Sequence, residues 1–346
     1  MLQSIILKNF RSITKNEFSF WEERTIIHWK NGSWKTTVLE AISLLSITPL
    51  NSTKLENLVS LEWENFFVSA KLYDKNMSFA YNKLTKKKVY SIEWKSVAKK
   101  KFMSESLRIT SFTPTTMNMF LLGPSKRRDF LDHILKSSYF QYDTQLKKYE
   151  KVLKNRNAIL KSINKWNSSR LELNFWDWEF INEAINIYRY RYVIVSYFKK
   201  HIHSLDKFIP QAATKCDLLY KISVDFDNIE ASLSESLEKN LERDILLWKT
   251  TMWPHLDDFS ILINRKELIE FASRWEMKSI IVWLKILEAE FIELKTGNIP
   301  LLLIDDFMSE LDVVHRELLL ESFSRYQTII TNIEKINGDS ACQIEM

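Results

Sequence analysis

The chain has 346 residues, with 45% hydrophobic and 27% charged side chains, so it can bury a large core and is neither a disordered nor a collagen-like polypeptide. A net charge of +5 permits a nucleic-acid partner without demanding one. Two cysteines, Cys216 and Cys342, lie far apart without metal-ligand spacing. The opening MLQSIILKNF lacks the apolar stretch of a signal peptide and no run is long enough to span a membrane, so a reduced cytoplasmic protein without membrane attachment is expected.

In chain order, Ser4-Ile5-Ile6-Leu7 and Thr25-Ile26-Ile27 read as short strands, the second ending in a polar loop at Lys30-Asn31-Gly32-Ser33. From Thr36 onward, Val38, Leu39, Ile42 and Leu45 recur at helical spacing. Residues 60–112 alternate apolar and polar in short segments, an antiparallel β region with lysine-rich turns. Basic residues clump at Lys86-Lys87-Lys88, Lys99-Lys100-Lys101 and Lys126-Arg127-Arg128, each run either a solvated loop or a phosphate contact.

Beyond Gly123-Pro124 the period becomes helical. Tyr142, Leu146, Tyr149, Leu153, Leu160 and Ile163 form a heptad seam broken only by Arg156, and a second helical stretch runs from Asp177 with Ala184, Ile187, Ile194 and Phe198 on one face. Asn167-Ser168-Ser169 is the turn between them and Pro210 closes the pair. Tyr220–Val224 is strand-like and returns the chain to a sheet. The pattern is an α/β domain interrupted by a helical arm: an amino-terminal lobe at 1–115, the arm at 116–210, and a carboxyl-terminal lobe at 211–346.

Near the carboxyl end the apolar run Ile299–Ile304 terminates in Asp305-Asp306. P-loop ATPases hold Mg²⁺ with such a strand, although many α/β proteins also end a strand in an acidic residue. The partner motif is a phosphate loop, G-x-x-x-x-G-K-[ST]. Trp29-Lys30-Asn31-Gly32-Ser33-Trp34-Lys35-Thr36 fits it except that tryptophan stands at both glycine positions. The loop must wrap backbone N–H groups around phosphates, and a side chain held in the left-handed region costs about 1–2 kcal/mol. An indole would also fill the space of the β-phosphate, so the literal site is closed to nucleotide.

At this point the sequence resembles the RecF family and its SMC relatives. The resemblance is carried by Leu7–Ser12, by Asn31–Ile42, and by Gly123–Asp132 against G-S-P-S-x-R-R-x-F-L-D. It continues through Trp253–Asp258 against G-P-H-R-D-D, Phe271–Ser279 against the signature F-A-S-x-G-Q-Q-R-S, and Leu303–Asp312. It implies an α/β fold, an ABC/SMC-type P-loop ATPase head with an inserted α-helical arm domain. It further implies a weak DNA-stimulated ATPase of recombinational repair and fork maintenance, acting on gapped DNA or single-strand/double-strand junctions. ATP and Mg²⁺ would be its cofactors, an ATP-dependent homodimer its closed form, and RecR- and RecO-like mediators its partners.

The resemblance also implies roles for particular residues. Residues 29–37 (Trp29, Lys30, Asn31, Gly32, Ser33, Trp34, Lys35, Thr36 and Thr37) would hold the nucleotide, with Arg11 nearby. Lys35 would neutralise the β- and γ-phosphates. Thr36 and Asp305 would ligate Mg²⁺, and Asp306 would orient the attacking water. Ser273 and Trp275 would meet the γ-phosphate held by a second subunit, and with Arg274 and Asp312 would line the dimer seam. Lys126, Arg127 and Arg128 would contact DNA. His255 reads as a structural hydrogen-bonding residue rather than a catalytic one. The chain departs from the family at Pro114-Thr115-Thr116, Leu256 and Glu276-Met277-Lys278.

Only 4 glycines accompany 12 tryptophans, against about 7% glycine in ordinary proteins. Trp29, Trp34, Trp253 and Trp275 stand where the family has glycine. Trp21, Trp63, Trp94, Trp166, Trp248 and Trp283 stand in turn-like contexts, and Trp176 matches a family tryptophan. Two explanations are open. The gene belongs to a lineage that reads UGA as glycine and has been translated with UGA as tryptophan, or the chain is a decayed ATPase. The second would leave a nucleotide-dead structural DNA clamp. A third function, the head of a nuclease-linked ABC ATPase, would need an acidic metal-cluster domain after the ATPase, where only a short tail follows Asp312.

Overall fold

The computed structural model describes residues 1–28, 35–50, 53–165, 169–209, 216–222, 224–226, 228–252, 254–306, 308, 311–332 and 342–345. The backbone divides into two compact units, residues 1–118 with 278–346, and residues 119–277.

In the first unit, β1 (Leu2–Phe10) alternates buried and open positions and β3 (Arg24–His28) buries three successive residues, Thr25 to Ile27. That difference separates a strand covered on one face from one covered on both. Accordingly β1, β2 (Ile13–Ser19), β4 (Asn65–Leu72), β5 (Asn76–Asn82), β6 (Lys88–Ile92) and β7 (Lys95–Val97) form a six-stranded antiparallel sheet in the order β2-β1-β4-β5-β6-β7. Phe66 on β4 meets Phe10 on β1 at 5.2 Å and Phe79 on β5 at 5.7 Å, edge to face, in the core beneath it. Helix α1 (Lys35–Ser43) lays Val38, Leu39 and Ile42 into the same core. The β region expected over residues 60–112 also contains a short helix, α2 (Lys99–Glu105), and ends in β8 (Ile109–Phe112), which belongs to a different, parallel sheet. A four-residue helix, α3 (Pro114–Met117), follows.

The second unit opens with Gly123 at φ 91°, a conformation that favours glycine, immediately before Pro124 starts α4 (Pro124–Ser138). Helices α5 (Tyr142–Asn164) and α6 (Arg170–Lys200) are the expected pair, although α6 begins seven residues before Asp177. Arg156, the break in the heptad seam, is fully buried. Its guanidinium donates to Asp177 at 2.7 Å and to Asp244 and Thr250 at 2.8 Å, joining α5, α6 and the later helix that carries Asp244. A buried charge so partnered is tolerated; stripping one partner typically costs about 3–5 kcal/mol. Asn167, Ser168 and Pro210 lie outside the described residues.

The strand expected at 220–224 forms instead at β9 (Cys216–Lys221). Helix α7 (Ile229–Leu247) follows, then β10 (Asp258–Ile263) and β11 (Lys266–Glu267), and the three strands make a small antiparallel sheet of this unit in the order β11-β10-β9. Residues 211–277 therefore fold with 119–210, not with the carboxyl-terminal lobe assigned from sequence. The cause is pairing with β10: Leu218 faces Ile261 and Tyr220 faces Phe259 across the ladder, and these partners lie some forty residues downstream.

A four-residue helix, α8 (Leu268–Phe271), precedes α9 (Arg274–Thr296). Gly297 ends α9 at φ 68°, donating its N–H to Glu293 O at 2.8 Å. Then come β12 (Leu301–Asp305), α10 (Val313–Ser322), β13 (Thr328–Asn332) and β14 (Cys342–Glu345). The parallel sheet of the first unit has the order β14-β3-β13-β12-β8. Trp283, expected in a turn, lies inside α9 and is buried, so its indole packs as core. No helix among the described residues is long and apolar enough to cross a membrane.

Candidate functional site

Parallel pairing of β3, β13 and β12 brings their carboxyl ends together, the place where open α/β sheets bind ligands. Asp305 closes β12 opposite Thr331 of β13, and α1 starts at Lys35 after the loop that leaves β3. Thr36 Oγ1 donates to Asp305 Oδ1 at 3.0 Å. Thr331 Oγ1 reaches the same carboxylate oxygen at 2.9 Å and accepts the Asp306 N–H at 3.1 Å. The buried Lys35 places its ammonium 3.5 Å from Asp306 Oδ1. Thr37 is buried in the first turn of α1.

Burial raises the Asp305 carboxyl above its ordinary range; the hydrogen bonds from Thr331 and Thr36 and the charge of Lys35 oppose the rise, and the charge of Asp306 adds to it. A divalent cation beside Asp305 would oppose the rise in the same sense as Lys35 does. Mg²⁺ binds oxygen at about 2.1 Å in an octahedron, so neighbouring ligands lie about 3 Å apart. The 3.0 Å between Thr36 Oγ1 and Asp305 Oδ1 fits such an edge. Asp306 has φ 48°, a left-handed conformation of the kind that collects at functional sites.

Trp29, Lys30, Asn31, Gly32, Ser33 and Trp34 lie outside the described residues. Arg11 has φ 50° and its Nε meets the buried Glu40 of α1 at 2.6 Å, an ion pair that fastens β1 to α1. Asp312 caps α10, accepting the His315 N–H at 3.0 Å, and is half-exposed. In the second unit, Ser273, Arg274 and Trp275 form the start of α9. The Ser273 hydroxyl donates to Glu276 Oε2 at 2.7 Å, its backbone N–H donates to the same oxygen at 2.8 Å, and Glu276 N–H returns to Ser273 Oγ at 3.2 Å. This is a capping box, built with the glutamate that departs from the family's glutamine.

The three residues of the basic run at 126–128 are not equally exposed. Arg127 is 3% exposed; its Nε and Nη2 grip the Asp258 carboxylate at 2.6 and 2.8 Å, and Nη1 donates to Phe120 O at 2.8 Å. Arg128 donates to Asp257 O at 2.8 Å. Arg127 therefore offers no open face to phosphate, because its guanidinium is buried with Nε and Nη2 on Asp258 and Nη1 on Phe120 O. Lys126 remains on the surface beside Asp129 at 3.1 Å. His255 shares a 2.7 Å hydrogen bond with Tyr149 OH and lies 3.3 Å from Thr250 O, and burial pushes its imidazole down to about 4.

Sequence reasoning missed Thr331 and Glu276. The signal for Thr331 was a threonine directly after the apolar pair Ile329-Ile330 in β13. For Glu276 it was the S-x-x-E spacing itself.

No family profile matches the chain. It is 30% identical to the DNA replication and repair protein RecF of Caldanaerobacter subterraneus subsp. tengcongensis, over 99% of this chain and 96% of that one. The solved structure of the recombination mediator protein RecF-ATPrS in the RecFOR pathway superposes with a TM-score of 0.89 at 28% identity, covering 100% of this chain and 96% of that one. An SMC head bound to the C-terminal winged-helix domain of ScpA shares the fold alone, with a TM-score of 0.51 at 12% identity over 96% of this chain and 90% of that one. With its parallel sheet ending in Asp305 and its full-length likeness to these proteins, the chain belongs to the RecF family.

Proposed function

We propose that the chain is a DNA-repair ATPase of the RecFOR type, in which ATP and Mg²⁺ close two copies on gapped DNA and slow hydrolysis releases them. The observation that carries this reading is the convergence of Thr36, Thr331 and Asp305 beside Lys35 and Asp306. Lys35 would leave Asp306 for the phosphates, freeing that carboxylate to orient water. Thr36 and Asp305 would hold Mg²⁺, which supplies charge neutralisation at the phosphates. Ser273 and Asp312 would act across the dimer seam. Likeness to RecF-ATPrS and RecF-ATP structures of the RecFOR pathway supports ATP as ligand and RecO- and RecR-like proteins as partners in the cytosol.

This function requires residues 29 and 34 to be compact. Two tryptophans outside the loop support UGA-encoded glycine at such places. Trp94 has φ 61° in the two-residue turn between β6 and β7, and Trp248 has φ 59° at the end of α7. Both are conformations that favour glycine. UGA codons at 29, 34, 253 and 275 support the recoding; UGG codons there refute it. ATP binding by the chain with glycine at 29 and 34, abolished by Lys35→Ala, supports the nucleotide switch. A glycine-bearing chain that binds no ATP at saturating Mg²⁺ leaves the nucleotide-dead clamp.

A further inference from the structure

The first unit contains a buried hydrogen-bonded chain separate from the phosphate site. Ser279 Oγ on α9 lies 2.7 Å from His315 Nε2 on α10, and His315 Nδ1 lies 2.9 Å from both carboxylate oxygens of Asp312. Ser279 and His315 are fully buried, whereas the Asp312 side chain is 48% exposed. A carboxylate against Nδ1 fixes the proton there, leaving Nε2 to accept the Ser279 hydroxyl. The order of groups is that of an acyl-transfer triad, but a serine with no exposure cannot meet a substrate, so nucleophilic chemistry is excluded.

The buried end of this chain belongs to α9, whose first residues, Arg274 and Trp275, belong to the signature. Its exposed end is the carboxylate assigned to the dimer seam. We infer that His315 is a positioning residue, which holds the Asp312 carboxylate in one orientation against α9 so that the signature helix and the seam engage a second copy together. The inference rests on the ATP-closed dimer proposed above. Without the His315 ring, Asp312 keeps the N–H of residue 315 and the charge of Lys278 but loses the ring that fixes its orientation, while Ser279 loses its buried acceptor. The relation is that of an outer hydrogen-bond partner to an active group, whose loss typically lowers activity about tenfold or more.

The test uses the full chain with the residues its gene encodes. His315→Ala is expected to lower kcat for ATP hydrolysis about tenfold and weaken ATP-dependent self-association, with KM and the monomer's ATP affinity unchanged. His315→Gln, whose amide can still donate to Asp312, should recover most of both. Ser279→Ala, the milder change should His315→Ala fail to fold, should move kcat in the same direction, and the double variant should be no worse than His315→Ala alone. Wild-type kcat and self-association in both folded single variants overturn the inference, as does a loss that follows melting temperature and is not recovered by glutamine. A wild-type chain that binds no ATP overturns the functional reading and this inference together; one that binds ATP and dimerises while ignoring His315 overturns the inference alone.

Discussion

Thr331 Oγ1 stands 2.9 Å from Asp305 Oδ1, on neighbouring parallel strands whose register sets these two residues side by side. The Thr331 and Thr36 hydroxyls thus engage the same carboxylate oxygen. Thr331→Val keeps the shape of the side chain and removes this bond together with the one accepted from the Asp306 N–H. It should weaken Mg²⁺ binding and lower kcat about tenfold, the scale of an outer-shell partner, whereas Thr331→Ser should stay near wild type. Mg²⁺ titration of nucleotide hydrolysis reads both, and equal constants for valine and threonine would sink the role.

Arg127 and Asp258 form a bidentate pair with the arginine almost fully buried. Arg127→Ala should destabilise the second unit by about 3–5 kcal/mol, because it leaves a carboxylate without its partner inside the fold. Lys126→Ala should leave stability unchanged. If Lys126 touches phosphate, it alone should reduce the salt slope of DNA binding by about one. Urea melts and salt titrations of the two variants separate these effects; a reduced salt slope in a stable Arg127→Ala chain would restore arginine to the DNA surface.

What was legible followed from local pattern. β3 and β12 show as consecutive apolar residues because both faces are covered, and α5 shows as a heptad seam. What was not legible depends on partners distant in sequence. Arg156 read as a defect in the seam because Asp244 lies 88 positions away. The same holds for Arg127, whose charge looked available until Asp258, 131 positions on, closed around it. A strand was recognisable at 220–224, overlapping only the end of β9, and a strand's own residues do not say which sheet it joins; pairing with β10 decides that. The convergence of Lys35, Thr36, Asp305 and Asp306 was legible, since a motif fixes spacing. Thr331 was not, since a strand neighbour is fixed only by topology.

Two buried groups of the second unit oppose each other in pH. Burial lowers His255 from its ordinary 6.5 to about 4 and raises Asp257 from 3.8 to about 6, even though Arg191, Tyr220 and Tyr188 hold the Asp257 carboxylate. As pH falls from 6.5 to about 4, the unfolded chain protonates its histidine first and stability drops. As pH rises from about 4 to about 6, the unfolded chain ionises its aspartate first and stability again drops. The two slopes offset in wild type. His255→Gln should therefore lose stability as pH rises through that window, and Asp257→Asn should gain it. Urea midpoints from pH 4 to 7 report the slopes, and equal slopes in both variants would refute the assignment.

Ser273 gives its hydroxyl to Glu276, so the group expected to meet a γ-phosphate is engaged by a carboxylate. A carboxylate next to a phosphate also repels it. Glu276→Gln keeps the cap with a neutral amide, and should tighten ATP-dependent self-association several-fold while costing less than about 1 kcal/mol of stability. Sedimentation with and without ATP measures the first effect. Weaker association in a stable Glu276→Gln chain would show that the negative charge assists the seam rather than restraining it.

Trp94 and Trp248 hold left-handed backbone with 65% and 45% of their surfaces exposed; the Trp94 indole is mostly bare, whereas the Trp248 ring is over half covered and lies 5.7 Å from the Lys161 ammonium. In the β6–β7 turn both central residues, Glu93 and Trp94, have positive φ, the geometry in which the second position strongly favours glycine. At the end of α7, Lys249 N–H closes on Asp244 O at 3.2 Å around Trp248, as in a helix terminated by glycine. Glycine at 94 should stabilise the chain by about 1 kcal/mol, the left-handed strain less the added freedom of the unfolded state; at 248 the same relief is offset by loss of the Lys161 contact and of the covered ring surface, leaving stability near unchanged. Glycine in place of Trp283 should instead destabilise by several kcal/mol, about 3–5 for a buried indole, plus a helix-interior penalty of about 1. Urea denaturation of the three single variants tests the contrast. If the chain tolerates glycine no better at 94 and 248 than at 283, those turns do not call for glycine, and the fold offers no support for UGA-encoded glycine there.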